Sequence, residues 1–296
     1  MRTTMRTTTR TTMQTNGEAR FDILSSDGTS LAVWVDGSGP PLVLVHGSLQ
    51  DHTANRTFVD ELVGDFTTFA PDRRGFGASD DATDWTLDQE FDDLAAIIDH
   101  VADSTGEPVA IWGHSFGANV AMGAASRLAN VRGLVLYEPS LGLSFPAGAI
   151  EALATRIESG DRDGAVAQYL HEVLHLTDDE VTAIRSTPRW PTMIGAAHTI
   201  PRESEAERDW RYQGQFASIT APTLTLTSSD TPHDLGQATT AAAAAIGCPE
   251  IRILDGHAHL AHRTDPALVA GVGREFLLAP HPRDGQAERA TDKPAR

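Results

Sequence analysis

The chain has 296 residues, of which 40% are hydrophobic and 22% charged, a balance that excludes a mainly disordered or fibrous protein. The formal net charge is −18 at pH 7, which disfavours nucleic acid and anionic membranes as partners. No apolar stretch approaches the roughly 18–20 residues that span a bilayer, so no membrane segment is expected. The single cysteine, Cys248, excludes an intramolecular disulfide.

The two ends differ in composition from the body of the chain. Residues 1–15 are an Arg/Thr repeat without an apolar run, which predicts a disordered tail rather than a secretory signal. The polar composition of residues 281–296 predicts a flexible tail at the other end. A cytoplasmic location is therefore expected. The acids are mostly Asp and the only lysine is Lys293, which favours a high-salt cytoplasm; a GC-rich genome that prefers Arg codons is the alternative.

Between the tails, short apolar runs alternate with amphipathic helices. Helices are predicted at 87–103, 116–129, 234–246 and 266–278. Strands are predicted at 20–25, 30–35, 41–46, 66–71, 108–113, 132–137, 222–228 and 250–254. The later strands are continuously apolar, as is typical of strands buried on both faces of a parallel sheet. This alternation predicts an α/β protein with a doubly wound sheet.

Residues 141–218 interrupt the alternation, because they contain several helical stretches and no convincing strand. We interpret them as a helical cap inserted between the two parts of an α/β core, residues 16–140 and 219–280. An insertion of this size lies over a functional site more often than elsewhere.

The strongest chemical motif is Gly113-His114-Ser115-Phe116-Gly117, which follows an apolar strand and opens an Ala-rich helix. A strand, a sharp turn and a helix are what a nucleophile elbow requires, and the flanking glycines let the backbone turn tightly. Ser115 is therefore the candidate nucleophile. The alternative is a serine that only caps the helix.

A serine nucleophile needs a histidine base and an orienting carboxylate. Asp230 follows strand 222–228, and His257, His259 and His262 follow strand 250–254, at the sheet edge where α/β proteins place their sites. The order Ser115, Asp230, histidine is the one expected for this elbow. The spacing His-x-His-x-x-His would also suit a metal, but no Asp, Glu or Cys cluster accompanies it and no metal is expected.

Together these motifs resemble the α/β-hydrolase superfamily, in its capped, serine-nucleophile form, over about residues 18–280. Val45-His46-Gly47-Ser48, Asp72-Arg73-Arg74-Gly75-Phe76-Gly77 and Leu136-Tyr137-Glu138-Pro139 also fit this family. The resemblance implies a mostly parallel eight-stranded sheet flanked by helices, with the cap after the sixth strand. It also implies His259 as the base, three residues before His262 and seven before Pro266, with His257 as the runner-up.

The resemblance further implies the remaining parts of the site. The oxyanion would be bound by the backbone amides of Phe116 and Ser48. Glu138 is the alternative orienting acid, since some relatives place theirs after the sixth strand. Arg73 and Arg74 are expected to be structural rather than to bind an anionic substrate. Residues expected around the substrate pocket are His46, which would shape the oxyanion loop, together with His114, Glu138, Trp190 and Met193. For Trp190 and Met193, the alternative is that they form the small core of the insertion itself.

These observations predict a cofactor-free serine hydrolase that acts on a small-molecule ester, lactone or thioester through Ser115, His259 and Asp230. Cleavage of a C–C bond and perhydrolysis use the same triad, so the motifs leave them open. A non-catalytic binding module on the same fold is the alternative from another class. The sequence does not predict the oligomeric state.

Overall fold

The structure is a computed structural model that describes residues 10–13, 19–248 and 250–280. Its strands form one sheet in the order β1-β2-β3-β5-β4-β6-β7-β8-β9. The strands are β1 Arg10–Met13, β2 Ala19–Leu24, β3 Ser30–Gly37, β4 Pro41–Val45, β5 Thr67–Pro71, β6 Val109–His114, β7 Val131–Tyr137, β8 Thr223–Ser228 and β9 Ile251–Leu254. From β5 to β9 every neighbouring pair is parallel, so the predicted mostly parallel sheet is confirmed.

The edge strand β1 corrects part of the prediction for the N-terminal tail. Residues 10–13 pair antiparallel with β2, from Arg10 opposite Asp22 to Met13 opposite Ala19. The β-branched threonines of this segment suit a strand, and the edge of β2 offers free backbone groups to pair with. Disorder was therefore the wrong prediction for 10–13. The rest of 1–15, and the predicted tail 281–296, lie outside the described residues.

Helices cover both faces of the sheet. They are α1 Arg56–Asp60, α2 Leu87–Thr105, α3 Phe116–Ala125, α4 Ala149–Glu158, α5 Arg162–Glu172, α6 Asp178–Arg185, α7 Arg189–Ala196, α8 Ile200–Asp209, α9 His233–Ala245, α10 Ala261–Thr264 and α11 Pro266–Leu278. On one face, α2 and α3 bury Phe91, Leu94 and Val120 against the strands. On the other, α1 and α11 pack Phe58 and Val269 with Trp112 of the sheet.

Local sequence signals explain where the longest helix begins and ends. Thr86 accepts a hydrogen bond from the Gln89 amide, and the Gln89 side chain accepts one from the Thr86 amide, which completes a capping box at the start of α2. The helix stops at Gly106, whose φ of 73° is easily adopted by glycine. Its apolar stripe, which includes Phe91 and Ile98, is buried.

Between β7 and β8 the described residues form helices and loops only, in agreement with the predicted character of this segment. Helices α4–α8, which we call the helical insertion, pack around an apolar cluster that includes Leu153, Val166 and Ile200 and extends to Leu49 and Phe76 of the α/β core. Across the parts of the chain that the structure describes, no helix combines the length and apolar character needed to cross a membrane.

Candidate active site

Ser115 lies at the turn between β6 and α3, in a backbone conformation that residues other than glycine rarely adopt (φ 54°, ψ −127°). The turn is closely packed. A Cβ atom on Gly117 would lie 2.3 Å from the His46 carbonyl oxygen, and one on Gly113 would lie 2.6 Å from the Gly117 carbonyl oxygen. Glycine at both positions therefore allows the sharp turn that presents Ser115 ahead of the N-terminus of α3.

Ser115 and His259 line one narrow pocket between the sheet edge and the helical insertion. The empty space among its side chains is about 490 Å³, including its opening to solvent. Nearly half of the lining residues are leucine or isoleucine, and several others come from α5 and α7. The lining residues are Ser48, Leu49, Gln50, Ser115, Tyr169, Leu170, Leu174, Leu176, Ile184, Arg189, Met193, His259 and Leu260.

His259 lies on the loop between β9 and α10 and is 8% exposed. Its Nδ1–H donates to Glu138 Oε2 at 2.5 Å. The His259 carbonyl oxygen accepts a bond of 2.9 Å from His114 Nε2, and the two rings pack with their centroids 4.5 Å apart. These contacts fix the imidazole while leaving it at the pocket wall.

Glu138 directly follows β7 and is fully buried, with a φ of 51°. Its Oε1 accepts a bond of 2.7 Å from the Ser228 amide and another from the Thr231 hydroxyl. Burial acts to raise the pKa of this carboxyl, but the bonds from His259, Thr231 and Ser228 outweigh it and the pKa lies below its usual range. The carboxylate is therefore ionised at neutral pH, as an orienting acid must be.

The structure corrects the assignment of Asp230 as the orienting acid. Asp230 is exposed, and its carboxylate accepts a hydrogen bond from the neighbouring Ser229 hydroxyl at 2.9 Å. Its amide donates to the His257 carbonyl oxygen, which ties the two loops together through the backbone. Glu138, the alternative acid, is therefore the carboxylate that contacts Nδ1 of His259, where the sequence predicted Asp230.

The other two histidines of the cluster point away from this arrangement. His257 donates from Nδ1 to the Asp255 carbonyl oxygen, and its Nε2 lies 3.4 Å from Asp265. His262 is buried among aromatic rings, 5.5 Å from Trp112 between centroids, and burial lowers its pKa well below the usual value. Within the described residues, no three His, Cys, Asp or Glu side chains are grouped to hold a metal ion.

The two backbone amides that are predicted to bind the oxyanion belong to Phe116 and Ser48, which both lie beside Ser115. The Phe116 amide begins α3, where no acceptor exists within the helix, and Ser48 lines the pocket. His46 shapes the loop before Ser48: its Nδ1 donates to the Gly47 carbonyl oxygen at 2.8 Å, and its Nε2 accepts from the Arg73 amide at 3.1 Å. Burial and the adjacent Arg73 lower the pKa of His46 to about 3, so its ring is neutral.

Of the five residues expected around the substrate pocket, only Met193 lines it. His46, His114 and Glu138 lie beneath the surface, where they hold the loops and His259 in place. Trp190 packs in the core of the helical insertion and donates to Asp163 at 2.9 Å. Tyr169 and Arg189 were not predicted, because no motif marks them and only the folding of the insertion brings them to the pocket.

Arg73 is the main electrostatic link beneath the site. It donates to Glu90 of α2 at 2.8 Å and to Glu203 of α8 at 2.6 Å, and its Nε donates to the His46 carbonyl oxygen. Arg74 is likewise bound by Asp93 and Asp27. Both arginines are therefore paired with carboxylates, in line with the structural role expected for them.

Comparison with known proteins finds partial similarity to several hydrolases. A lipase, LipV, of Mycobacterium tuberculosis is 37% identical over 107 residues, which are 36% of this chain and 40% of the lipase. The 2-(acetamidomethylene)succinate hydrolase of Mesorhizobium japonicum is 30% identical over 135 residues, 45% of this chain and 47% of that enzyme. These matches thus span less than half of either relative.

A crystal structure of an alpha/beta hydrolase from Sphaerobacter thermophilus superimposes with a TM-score of 0.73 at 29% identity, over 86% of this chain and 99% of that one. The sequence profile of the alpha/beta hydrolase family matches residues 42–272, which include the elbow, Glu138 and His259. That match covers well over half of the chain, and the chain therefore belongs to the alpha/beta hydrolase family.

Proposed function

We propose that the protein is a serine hydrolase that cleaves a carboxylic ester, lactone or thioester with Ser115, His259 and Glu138. The observation that carries the proposal is the 2.5 Å contact between His259 Nδ1 and the buried Glu138 carboxylate, in the pocket that Ser115 also lines. A histidine oriented by a carboxylate beside a serine on a strained turn is the arrangement that activates a hydroxyl.

In the proposed mechanism, Ser115 Oγ attacks the substrate carbonyl carbon while His259 Nε2 takes the hydroxyl proton. Glu138 holds the proton on Nδ1 and stabilises the imidazolium that forms. The Ser48 and Phe116 amides donate to the oxyanion. His259 then protonates the departing alkoxide or thiolate, and a water molecule activated by the same imidazole hydrolyses the acyl-enzyme to the free acid and Ser115.

Hydrolysis of an ester is favoured over simple binding because the nucleophile, the base and the acid are all present. The partial relatives named as a lipase and as a hydrolase support the same reaction class. The aliphatic wall formed by Leu170, Leu174 and Ile184 suits an alkyl part of the substrate. Because these residues come from α5 and α6 or the loop between them, we propose that the helical insertion acts as a cap that selects the substrate.

Labelling with a fluorophosphonate tests this proposal directly. We expect the wild type to incorporate one label per chain, and Ser115→Ala to incorporate none. Ser104→Ala is the matched control, because Ser104 is an exposed residue of α2 far from the motif, and it should label like the wild type. A folded wild type that remains unlabelled and hydrolyses no ester would refute the proposal in favour of a binding module.

A further inference from the structure

Arg189 is a half-buried cation in the wall of the substrate pocket. It is the first residue of α7 and lines the same pocket as Ser115, His259 and Met193. No sequence motif marks Arg189, and the proposed mechanism does not use it.

In the described part of the chain, Arg189 lacks the carboxylate partner that several other arginines have. Arg185 and Arg202, also in the helical insertion, lie 2.6 and 2.9 Å from the carboxylates of Asp163 and Asp81. Among the described residues, no carboxylate lies within 4 Å of the Arg189 guanidinium, although the chain has 41 acidic residues. A half-buried charge without a partner is costly, so its position calls for an explanation other than stability.

Two further features make this position unfavourable for a cation. The first turn of a helix carries a partial positive charge, and the first turn of α7 contains no acidic residue to offset it. Arg263 is close enough for its charge to interact with that of Arg189, and burial and this repulsion lower the pKa of Arg263. Two Arg263 nitrogens, Nε and Nη1, are buried without a hydrogen-bond partner in the described part of the chain. Asp51 opposes this repulsion at Arg263, but among the described residues no carboxylate lies within 4 Å of either guanidinium, so the positive charge near Arg189 is only partly compensated.

An anionic group on the ligand would compensate it. We propose that the substrate carries a carboxylate that binds Arg189, joined by a short alkyl chain to the ester carbonyl at Ser115. This inference rests on the proposed function, because it identifies the substrate class of the same site. The planar guanidinium can bind a carboxylate through two hydrogen bonds, and the aliphatic wall accommodates the methylene groups between the two ends.

Two substrates of matched length test the proposal: monomethyl glutarate and methyl pentanoate, which differ by a carboxylate in place of the terminal methyl group. The readout is the ratio of their kcat/KM values, measured by methanol release at constant salt. We expect the wild type to favour monomethyl glutarate by about tenfold or more, and Arg189→Gln to abolish most of that preference. Arg211→Gln is the matched control, since this exposed arginine donates only to backbone carbonyls, and it should keep the ratio of the wild type.

A binding measurement separates this inference from the proposed function. Calorimetry with folded Ser115→Ala should show that monomethyl glutarate binds at least tenfold more tightly than methyl pentanoate, and that adding Arg189→Gln removes the difference. If no ester is hydrolysed but this Arg189-dependent binding is found, the inference stands and the proposed function fails. If both esters are hydrolysed with equal kcat/KM, or if Arg189→Gln leaves the ratio unchanged, the carboxylate proposal is wrong.

Discussion

Glu138 combines strain, burial and charge at one position. Its φ of 51° costs free energy for a residue with a side chain, and its carboxylate is out of contact with water. The hydrogen bonds from the Ser228 amide and the Thr231 hydroxyl offset this cost and aim Oε2 at His259. Such local strain is found where a side chain must be held in one orientation, and here that orientation sets which nitrogen of His259 carries the proton.

The role of Glu138 predicts unequal effects of two conservative substitutions. Glu138→Gln should lower kcat by about 10³- to 10⁴-fold, because the amide no longer stabilises the imidazolium or enforces the productive tautomer. Asp230→Asn should change kcat by less than about threefold, because this exposed carboxylate does not contact His259. Steady-state kinetics on one ester would check both. A larger loss in Asp230→Asn than in Glu138→Gln would contradict the assignment.

At the scale of elements, Arg73 connects three parts of the fold. It joins the loop after β4 through the His46 carbonyl, α2 through Glu90 and α8 through Glu203. The side chains of this triad are almost fully buried, and the Arg73 guanidinium also packs 4.9 Å from the Phe116 ring. This one guanidinium therefore links the loop after β4 to α2 and to the helical insertion.

Removing that guanidinium should be costly. Arg73→Met leaves two buried carboxylates without their cation, and we expect the free energy of unfolding to fall by about 3–5 kcal/mol. Arg127→Met is the matched control, because its partners Asp88 and Asp92 are exposed and such pairs contribute about 1 kcal/mol or less. Urea unfolding measures both values. Equal losses in the two variants would show that the Arg73 triad contributes little.

Glu207 of α8 is a buried acid whose pKa is raised, whereas that of Glu138 is lowered. Its Oε1 accepts a hydrogen bond from the Ser140 hydroxyl, and the groups that face it are Glu203, Arg73 and Tyr169. Burial and the negative Glu203 raise its pKa to about 8, against the opposing effects of Ser140 and Arg73. The folded protein therefore keeps this proton at neutral pH.

The raised pKa gives a defined pH dependence of stability. Between the unfolded value of 4.5 and about 8, the folded state binds more protons than the unfolded state, so Glu207 makes stability fall as pH rises. The slope is at most about 1.4 kcal/mol per pH unit. In Glu207→Gln this component should disappear, which urea unfolding at pH 6 and pH 8 would measure. Glu205→Gln, an exposed change on the same helix, should retain the slope of the wild type. Equal slopes in all three proteins would contradict the raised pKa assigned to Glu207.

For the whole molecule, charge is the dominant property. A net charge of −18 implies repulsion between surface carboxylates, and salt weakens it as the screening length falls from about 30 Å at 0.01 M to about 3 Å at 1 M. We therefore expect Tm to rise with NaCl, steeply below about 0.5 M. Thermal melts in NaCl would check this, with sucrose of equal osmolality as the control for exclusion from the surface. A flat or falling Tm would contradict the high-salt adaptation that the composition predicts.

Patterns within single elements were enough to determine much of the fold. Alternation of apolar runs and amphipathic stretches predicted the sheet and the helices because burial of a strand or a helix face imposes its period on the local sequence. The predicted helix at 266–278 coincides with α11, Pro266–Leu278. The sharp turn at Ser115 was predicted in the same way, since an elbow needs two glycines and a strand–helix junction within a few residues.

Only the tertiary structure decided between Glu138 and Asp230. Both follow a parallel strand at the same edge of the sheet, so chain order allows either to reach His259. The direction of a side chain depends on the backbone of its loop and on the groups that bind it, and here the Ser228 amide and Thr231 hydroxyl direct Glu138 inward.

Contacts between distant segments also decided which residues line the pocket and whether β1 forms. Arg189 and Met193 reach the pocket because the helical insertion folds back over the sheet edge, and Trp190 between them turns into the core of the insertion instead. Strand β1 exists because β2 offers an unpaired edge. Local patterns record which face of an element is buried, whereas contacts between distant segments depend on how those faces pack together, and no local pattern contains that information.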